Sequence, residues 1–412
     1  MSLASLSLQH GLVLAVFVIV YLGMILGGLP RLQLDRTGVA LLGAIAIVGT
    51  GVMTPEQAAL SIHLPTIVLL FSFMVISAQM RLGGFYGAVT RRIVALRVDA
   101  PALLGVVICV AALLSAVFSN DIVCLAMAPL LAEACLRRRI DPVPYLLALA
   151  CASNIGSAAT LIGNPQNMLI GEVMKLHFAD YLRQAAAPVG LSLLLLWALL
   201  AWPLRRATAL APAELRTERR DDTPYDGWQT IKGLGVAGAL VAVFLLTNWP
   251  RDVAALVGAG LLLLNRRFHS SRMMGLVDWE LLVLFMGLFV VNHALQITGL
   301  APQALAWLAA QGLQLAEPLT LFIATLGLSN LVSNVPAVML LLPAAQGVPQ
   351  GGVTLALVST LAGNLLIVGS IANIIVIDAA RRCGIEIDWR RHARTGVPVT
   401  LLSLGVTAFW LR

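Results

Sequence analysis

The sequence predicts an all-α polytopic membrane protein made of two inverted-topology repeats, each with about five transmembrane helices, a re-entrant hairpin and a broken helix. Three observations lead there. Of 412 residues, 59% are hydrophobic and only 11% are charged, a balance far from that of a soluble domain. Apolar runs long enough to cross a hydrocarbon core recur along the chain. A set of Ser-Asn phrases then occurs twice, in the same order.

The apolar runs lie near 11–29, 37–53, 64–80, 187–203, 233–248, 253–264, 279–295, 352–377 and 396–411. Several are short or carry Gly, Ser and Asn. The first 30 residues lack the basic start and small-residue cleavage site of a secretory signal, so 11–29 is expected to stay as a first span. Cys109, Cys124, Cys135, Cys151 and Cys383 form no C-x-x-C pair and fall mostly in apolar runs, which implies neither a disulfide framework nor a zinc site.

The net charge of +7 is explained by topology rather than by a nucleic-acid partner. With the N-terminus outside a cell (inner) membrane, the basic residues collect in inside loops, including Arg81, Arg91, Arg92 and Arg97, Arg137 to Arg139, and Arg381 to Arg394. Only Lys175, Arg183, Arg251 and Arg412 are left outside.

"RTGVALLGA" at 36–44 lies over "RDVAALVGA" at 251–259, and "LLFSFMVISAQMRLGGF" at 69–85 over "LFMGLFVVNHALQITGL" at 284–300. In nearly the same register, Ser119, Asn120 and Pro129 fall on Ser333, Asn334 and Pro343, Asn154 on Asn364, Thr160 on Ser370, and Asn167 on Asn373. The first repeat is 1–203, the polar stretch 204–230 is a cytoplasmic linker, and the second repeat is 231–412. An odd number of crossings in each half makes the second enter the membrane upside down.

Residues 101–136 and 319–349 are read as re-entrant hairpins rather than pairs of full spans. Otherwise Ser119, Asn120 and Asp121 would sit at a tight external turn, and the limb 122–136 is short for a span. Before each hairpin, "GFYGAVTRRIVALR" and "LAPQALAWLAAQGL" read as helices, either lying along the interface or serving as ordinary loop helices. After each hairpin comes an apolar run interrupted by small polar residues, 143–178 and 352–378, where Pro165 and the glycines weaken the helix. A helix broken in lipid must line a polar cavity or pack against protein.

The candidate substrate and ion site is therefore Ser119, Asn120, Asp121, Ser153, Asn154, Thr160, Asn167, Ser333, Asn334, Asn364, Ser370 and Asn373. Asp121 is the one carboxylate placed deep, which suits a proton carrier or a cation ligand, the plainer alternative being a cap for the N-terminus of the second limb, while Glu133, Glu172, Glu317 and Asp378 fall near span ends. No Arg or Lys lies near these motifs in the sequence. An anion would need bound cations or helix dipoles there, whereas an uncharged polyhydroxy solute needs only amides and hydroxyls. His63 and His293 read as interfacial, and Cys124 and Cys151 as packing residues rather than thiol ligands.

"FSNDIVCLAMAPLL", "SNIGSAATLIGNPQN", "LSNLVSNVPAVMLLLP" and "GNLLIVGSIANIIVIDAARRCG" together resemble the ion transporter superfamily. That group includes arsenite efflux permeases, sodium/proton antiporters, citrate carriers and divalent anion/sodium symporters. The Asn120-Asp121 tip is most similar to the arsenite permeases. The resemblance implies a scaffold domain, a transport domain carrying the hairpins, an elevator-like movement, and frequently a homodimer. It also implies that Asn120 and Asp121 serve the substrate or proton site and that the Asn154 and Asn364 breaks form the opposite wall.

The reading that follows is proton-coupled efflux of arsenite or antimonite, with Asp121 exchanging the proton, driven by the proton gradient and using no organic cofactor and no resident metal. The alternative is a sodium-coupled transporter of inorganic or di- and tricarboxylate anions. An enzyme is not expected, because no G-x-S-x-G, H-E-x-x-H or phosphate-binding loop is present and nothing stands ready to activate Ser119 or Ser333. A subunit role beside an ATPase partner would predict that the Ser-Asn motifs tolerate alanine.

Overall fold

The computed structural model describes residues 3–29, 32–204 and 224–412. The described chain is helical throughout, with no β-strand among the described residues. Its first ten helices are α1 (Leu3–Leu26), α2 (Arg36–Gly49), α3 (Pro55–Ser61), α4 (Leu64–Leu82), α5 (Phe85–Ala95), α6 (Ala100–Val117), α7 (Asn120–Arg137), α8 (Pro142–Ser157), α9 (Pro165–Val173) and α10 (Phe178–Leu204). A second series follows in matching order: α11 (Gly227–Leu246), α12 (Arg251–Leu263), α13 (Ser270–Met274), α14 (Trp279–Ile297), α15 (Leu300–Ala310), α16 (Pro318–Val332), α17 (Asn334–Ala345), α18 (Gly351–Ala362), α19 (Ile371–Arg382) and α20 (Trp389–Trp410).

Among the described residues, six helices are long and apolar enough to cross a membrane: Gln9–Leu26 of α1, α4, α6, α10, α11 and α14. The runs at 37–53 and 253–264 come out shorter than a span: α2 has 14 residues and α12 has 13, an axial rise of only about 20 Å. In α2 the helix stops where Thr50 turns its hydroxyl back onto the Ala46 carbonyl and Gly51 adopts a φ of +74°, a conformation suited to glycine. The two stretches before the hairpins are the helices α5 and α15. Of the polar linker, residues 205–223 lie outside the described residues. At its end, Asp226 accepts from the Trp228 and Gln229 amides at the start of α11 and pairs with Arg267. The Gln229 amide, ahead of Arg267, holds the Asp226 carboxyl below its ordinary value.

The chain forms two compact units. One comprises Met1–Ile67 and Asp278–Leu355. In it α2 packs between α1 and α14, closely enough that a β-carbon on Gly287 would stand 2.8 Å from the Ala40 carbonyl. Val13, Ile47, Met53, Ala58, Val290 and Ala294 form its apolar centre, and α16 and α17 fold back on each other at Ser333.

The other unit comprises Val68–Val277 and Ala356–Arg412. Its centre is α8, buried at every position from Pro142 to Ser157 except Pro144 and packed by α6, α7, α10, α19 and α20. A helix buried on all sides can carry polar residues only if they find partners inside the protein. The partners of Ser153, Asn154 and Ser157 build the candidate site.

Candidate functional site

α8 ends at Ser157 because the chain from Ala158 to Asn164 leaves the helical path before Pro165 restarts it as α9. Asn164 is the N-cap of α9, its Oδ1 accepting from the Asn167 amide at 2.9 Å, with Pro165 in the first turn where a missing N–H costs nothing. The carbonyls freed by the break are taken up by side chains. Tyr181 donates its hydroxyl hydrogen to Ala158 O at 2.6 Å, and Asn167 Nδ2 donates to Thr160 O at 3.0 Å and to the Tyr181 oxygen at 3.2 Å. Gly163 O receives the backbone N–H of Asn120 at 3.3 Å, which ties the break to the tip of the α6–α7 hairpin. The Thr160 hydroxyl reaches Ala116 O on α6 at 2.5 Å and makes a second tie to the hairpin.

A second break follows α18. Gly363 to Ser370 form a non-α-helical stretch with one turn of 3₁₀-helix at Ile367–Gly369. Ser370 caps α19 by accepting from the Ala372 amide. Asn373, in the first turn of α19, turns its Nδ2 back to Gly363 O at 2.8 Å and Leu366 O at 3.1 Å.

Those two carbonyls fix the polarity of everything upstream, because a carbonyl only accepts. Asn373 must present its Oδ1 to Asn154 Nδ2, at 3.3 Å. Asn154 Nδ2 also donates to Asn364 Oδ1 at 2.8 Å. Asn154 Oδ1 therefore accepts, from Asn120 Nδ2 at 3.0 Å and from the Ser370 hydroxyl at 2.9 Å. One acceptor, Asn120 Oδ1, and one donor group, Asn364 Nδ2, are left buried without a hydrogen-bond partner. The amide chain Asn120, Asn154, Asn364 thus ends in an acceptor at one end and a donor at the other. Buried groups without partners are costly, which makes this pair a candidate for contact with a solute.

Of the residues chosen from sequence, Asn120, Asn154, Asn364, Ser370 and Asn373 share this network, with Thr160 and Asn167 holding the adjoining break. Ser153 lies on the same helix, its hydroxyl donating to Ala150 O at 3.1 Å, so the contact at 2.9 Å from Cys124 is a thiol donating to the serine oxygen. Ser119 is the N-cap position of α7 and makes no capping bond, and Asp121 stands in the first turn of α7. There its carboxylate faces the positive end of the helix dipole. Ser333 and Asn334 belong to the first unit. Ser333 holds φ 76° and ψ 160° at the α16–α17 turn, a region costly for any residue with a β-carbon, and Asn334 Oδ1 is buried without a hydrogen-bond partner.

Several residues of the site escaped the sequence reading. Ser157, Asn164, Gln166 and Thr360 form a buried polar cluster behind Asn167: Asn164 Nδ2 donates to the Ser157 and Thr360 oxygens, and Gln166 Nε2 donates to Thr360. The Asn-Pro step at 164–165 is a helix-start signal that could have found Asn164. Nothing local marks Tyr181 or His392.

Glu172, expected from sequence near a span end, stands one residue from the end of α9, and there it is buried and paired with Arg251 at 2.8 Å, with 6% and 12% of the side chains exposed. Arg251, assigned to the outside and to no motif, also donates to Gly171 O at 2.6 Å, so a cation does sit on α9, the helix that carries Asn167. The reason is tertiary: α9 and α12 are remote in sequence, and the charges balance only when the two helices meet. Arg251→Ala is expected to destabilise the purified protein by about 3–5 kcal/mol, because it strands the buried Glu172 carboxylate. The double variant Arg251→Met, Glu172→Leu should recover most of that loss, measured by thermal unfolding in detergent.

Apolar spanning helices, two of their neighbours broken and stitched together by side-chain amides, define a secondary transporter. The chain belongs to the citrate transporter family (CitMHS), whose model matches residues 15–362, within the ion transporter superfamily that the Ser-Asn motifs resemble. It is 32% identical over 407 residues to the uncharacterized transporter Rv2685 of Mycobacterium tuberculosis, covering 92% of this chain and 94% of that one. It is 30% identical to the silicon efflux transporter LSI3 of rice (Oryza sativa subsp. japonica), covering 92% of each. The crystal structure of the Alcanivorax borkumensis YdaH transporter shares the fold, with a TM-score of 0.54 at 15% identity over 98% of this chain and 97% of that one.

Proposed function

We propose that the protein is a proton-coupled efflux transporter for a small uncharged metalloid hydroxide, with arsenite and antimonite as its cargo. The observation that carries this reading is the pair of unpartnered amide atoms, Asn120 Oδ1 and Asn364 Nδ2, at the two ends of the Asn154 network. At neutral pH the arsenite acid is an uncharged triol whose hydroxyls both donate and accept. It can give a hydrogen to Asn120 Oδ1 and accept one from Asn364 Nδ2. Among the described hydrogen bonds of this network no Arg or Lys takes part, so an anionic cargo would enter without a counter-charge. The rice relative is named for silicon efflux, and dissolved silicon at neutral pH is likewise an uncharged hydroxide.

Asp121, next to Asn120 at the tip of α7, is the proton-exchanging group in this proposal. Coupling cargo movement to a proton gradient requires a titratable group that takes up a proton on one side and releases it on the other. An elevator-like alternating-access movement, as the family resemblance implies, would take the site from one face of the membrane to the other.

The test is uptake of arsenite into everted vesicles under an imposed proton gradient. Uptake driven by protons, lost in Asp121→Asn and indifferent to sodium, is the expected result. Absence of arsenite and antimonite movement, with sodium-dependent uptake of citrate or an inorganic anion instead, would replace this reading by the anion alternative. The description of the matched family as citrate transporters makes citrate the first anion to try.

A further inference from the structure

We propose that His392 is a positioning residue for the cargo site, holding the Asn364 end of the amide chain through the Asn364 backbone; this rests on the transport function proposed above. His392 lies in the first turns of α20 and is 2% exposed. Its Nε2 stands 3.2 Å from the carbonyl oxygen of Asn364. Since a carbonyl only accepts, Nε2 carries the hydrogen, and Nδ1, buried without a hydrogen-bond partner, keeps its lone pair. The imidazole is therefore a donor through Nε2.

The position of that bond gives it consequence. Asn364 sits where α18 has just unwound, its own amide bonded to Leu361 O at 3.2 Å, and beyond it the chain makes only the 3₁₀ turn Ile367–Gly369 before α19 begins. Without His392 its carbonyl would be an orphan of the helix end. One turn along α20, Gly396 lets the helix reach this carbonyl: a β-carbon there would lie 2.3 Å from Asn364 O and 2.9 Å from His392 Nε2. Two residues on one face of α20 thus converge on a single backbone oxygen. The side chain of that same residue offers the free donor of the site and accepts from Asn154 at 2.8 Å. Fixing the carbonyl holds the backbone from which this side chain reaches, and the bond from Asn154 then sets the direction in which Nδ2 points. Misplacement by a fraction of an ångström weakens cargo binding without touching the proton-exchanging group.

The conservative variant separates positioning from packing. The amide nitrogen of glutamine reaches about as far as imidazole Nε2 and donates in the same direction, whereas asparagine falls short and leucine fills the space with no donor. Transport kinetics in reconstituted vesicles should show His392→Gln within about twofold of the parent. His392→Leu should show KM raised about tenfold at similar maximal rate, the signature of lost binding rather than a lost chemical step. If the leucine variant fails to fold, His392→Asn takes its place with the same expected rise. Equal behaviour of the glutamine variant and the donor-free variant would overturn the proposal. A readout free of cargo is the ¹⁵N spectrum of histidine-labelled protein, in which the signal missing from His392→Gln identifies residue 392. An Nε2–H tautomer is expected, and a bare Nε2 would overturn the proposal. If the parent protein moves no metalloid, the function proposed above fails on that result alone, and the tautomer still decides whether His392 holds the Asn364 carbonyl.

Discussion

Replacing Asn154 by alanine is expected to lower the transport rate at subsaturating cargo about a hundredfold, the equivalent of ~2.7 kcal/mol. Asn154 is the hub of the network: its Nδ2 serves Asn364 and Asn373, and its Oδ1 serves Asn120 and Ser370. Truncation leaves four buried polar groups short of a partner, each worth roughly 1–3 kcal/mol when unsatisfied. Part of that loss relaxes as the side chains turn, but the two amide atoms without partners, Asn120 Oδ1 and Asn364 Nδ2, then lose their fixed directions. Asn154→Asp is a sharper variant. It is nearly isosteric, yet its second oxygen would face the oxygens of Asn364 and Asn373 where an amide nitrogen now donates. The aspartate should match the alanine variant in transport, whereas Ser153→Ala, one residue away and bonded within its own helix, should stay within about threefold of the parent. Parallel uptake assays normalised to folded protein would decide the point, and parent-like transport by both Asn154 variants would remove the network from the mechanism.

The second large effect is structural. A β-carbon on Gly156 would stand 2.3 Å from the α-carbon of Ala112 and 2.5 Å from its carbonyl oxygen. These are backbone atoms and cannot swing aside, so α6 and α8 must separate for Gly156→Ala to be accommodated. Overpacking of this kind costs about 1–3 kcal/mol, here expected at the upper end because backbone atoms are met, and it falls between α6 and the helix that presents Asn154. A drop in the unfolding midpoint of the purified protein, accompanied by lost transport, is expected. Gly190→Ala is the control: nothing lies within 4 Å of its new β-carbon in α10, so stability should change by no more than about 1 kcal/mol. Similar midpoints for the two variants would show that α6 and α8 do not approach as closely as the structure has them.

Much of this candidate site is legible in the sequence. The Ser-Asn pairs stand out because lipid penalises an amide so heavily that two copies in matching positions demand a shared reason. The breaks were legible because Pro165 and the neighbouring glycines cannot sustain a helix. Repeat matching set Asn154 against Asn364, and these two residues do bond to each other. Other features carried no local signal. Tyr181 and Thr360 look like ordinary residues of apolar helices, yet they satisfy the loosened backbone and the Asn167 side chain. Arg251 reads as one more loop arginine until α9 is placed beside it.

By itself the sequence determined the class of molecule, the positions of the two helix breaks, and the asparagines that stand beside them. These follow from composition and spacing, which act over a few turns of helix. Only the tertiary structure decided which amide donates to which, and hence that Asn120 offers an acceptor and Asn364 a donor. It also decided that Glu172 is buried with Arg251 and that His392 holds the Asn364 carbonyl. An asparagine in a sequence is both donor and acceptor, and its polarity is settled only by neighbours whose own polarity is fixed; here the Gly363 and Leu366 carbonyls set it through Asn373.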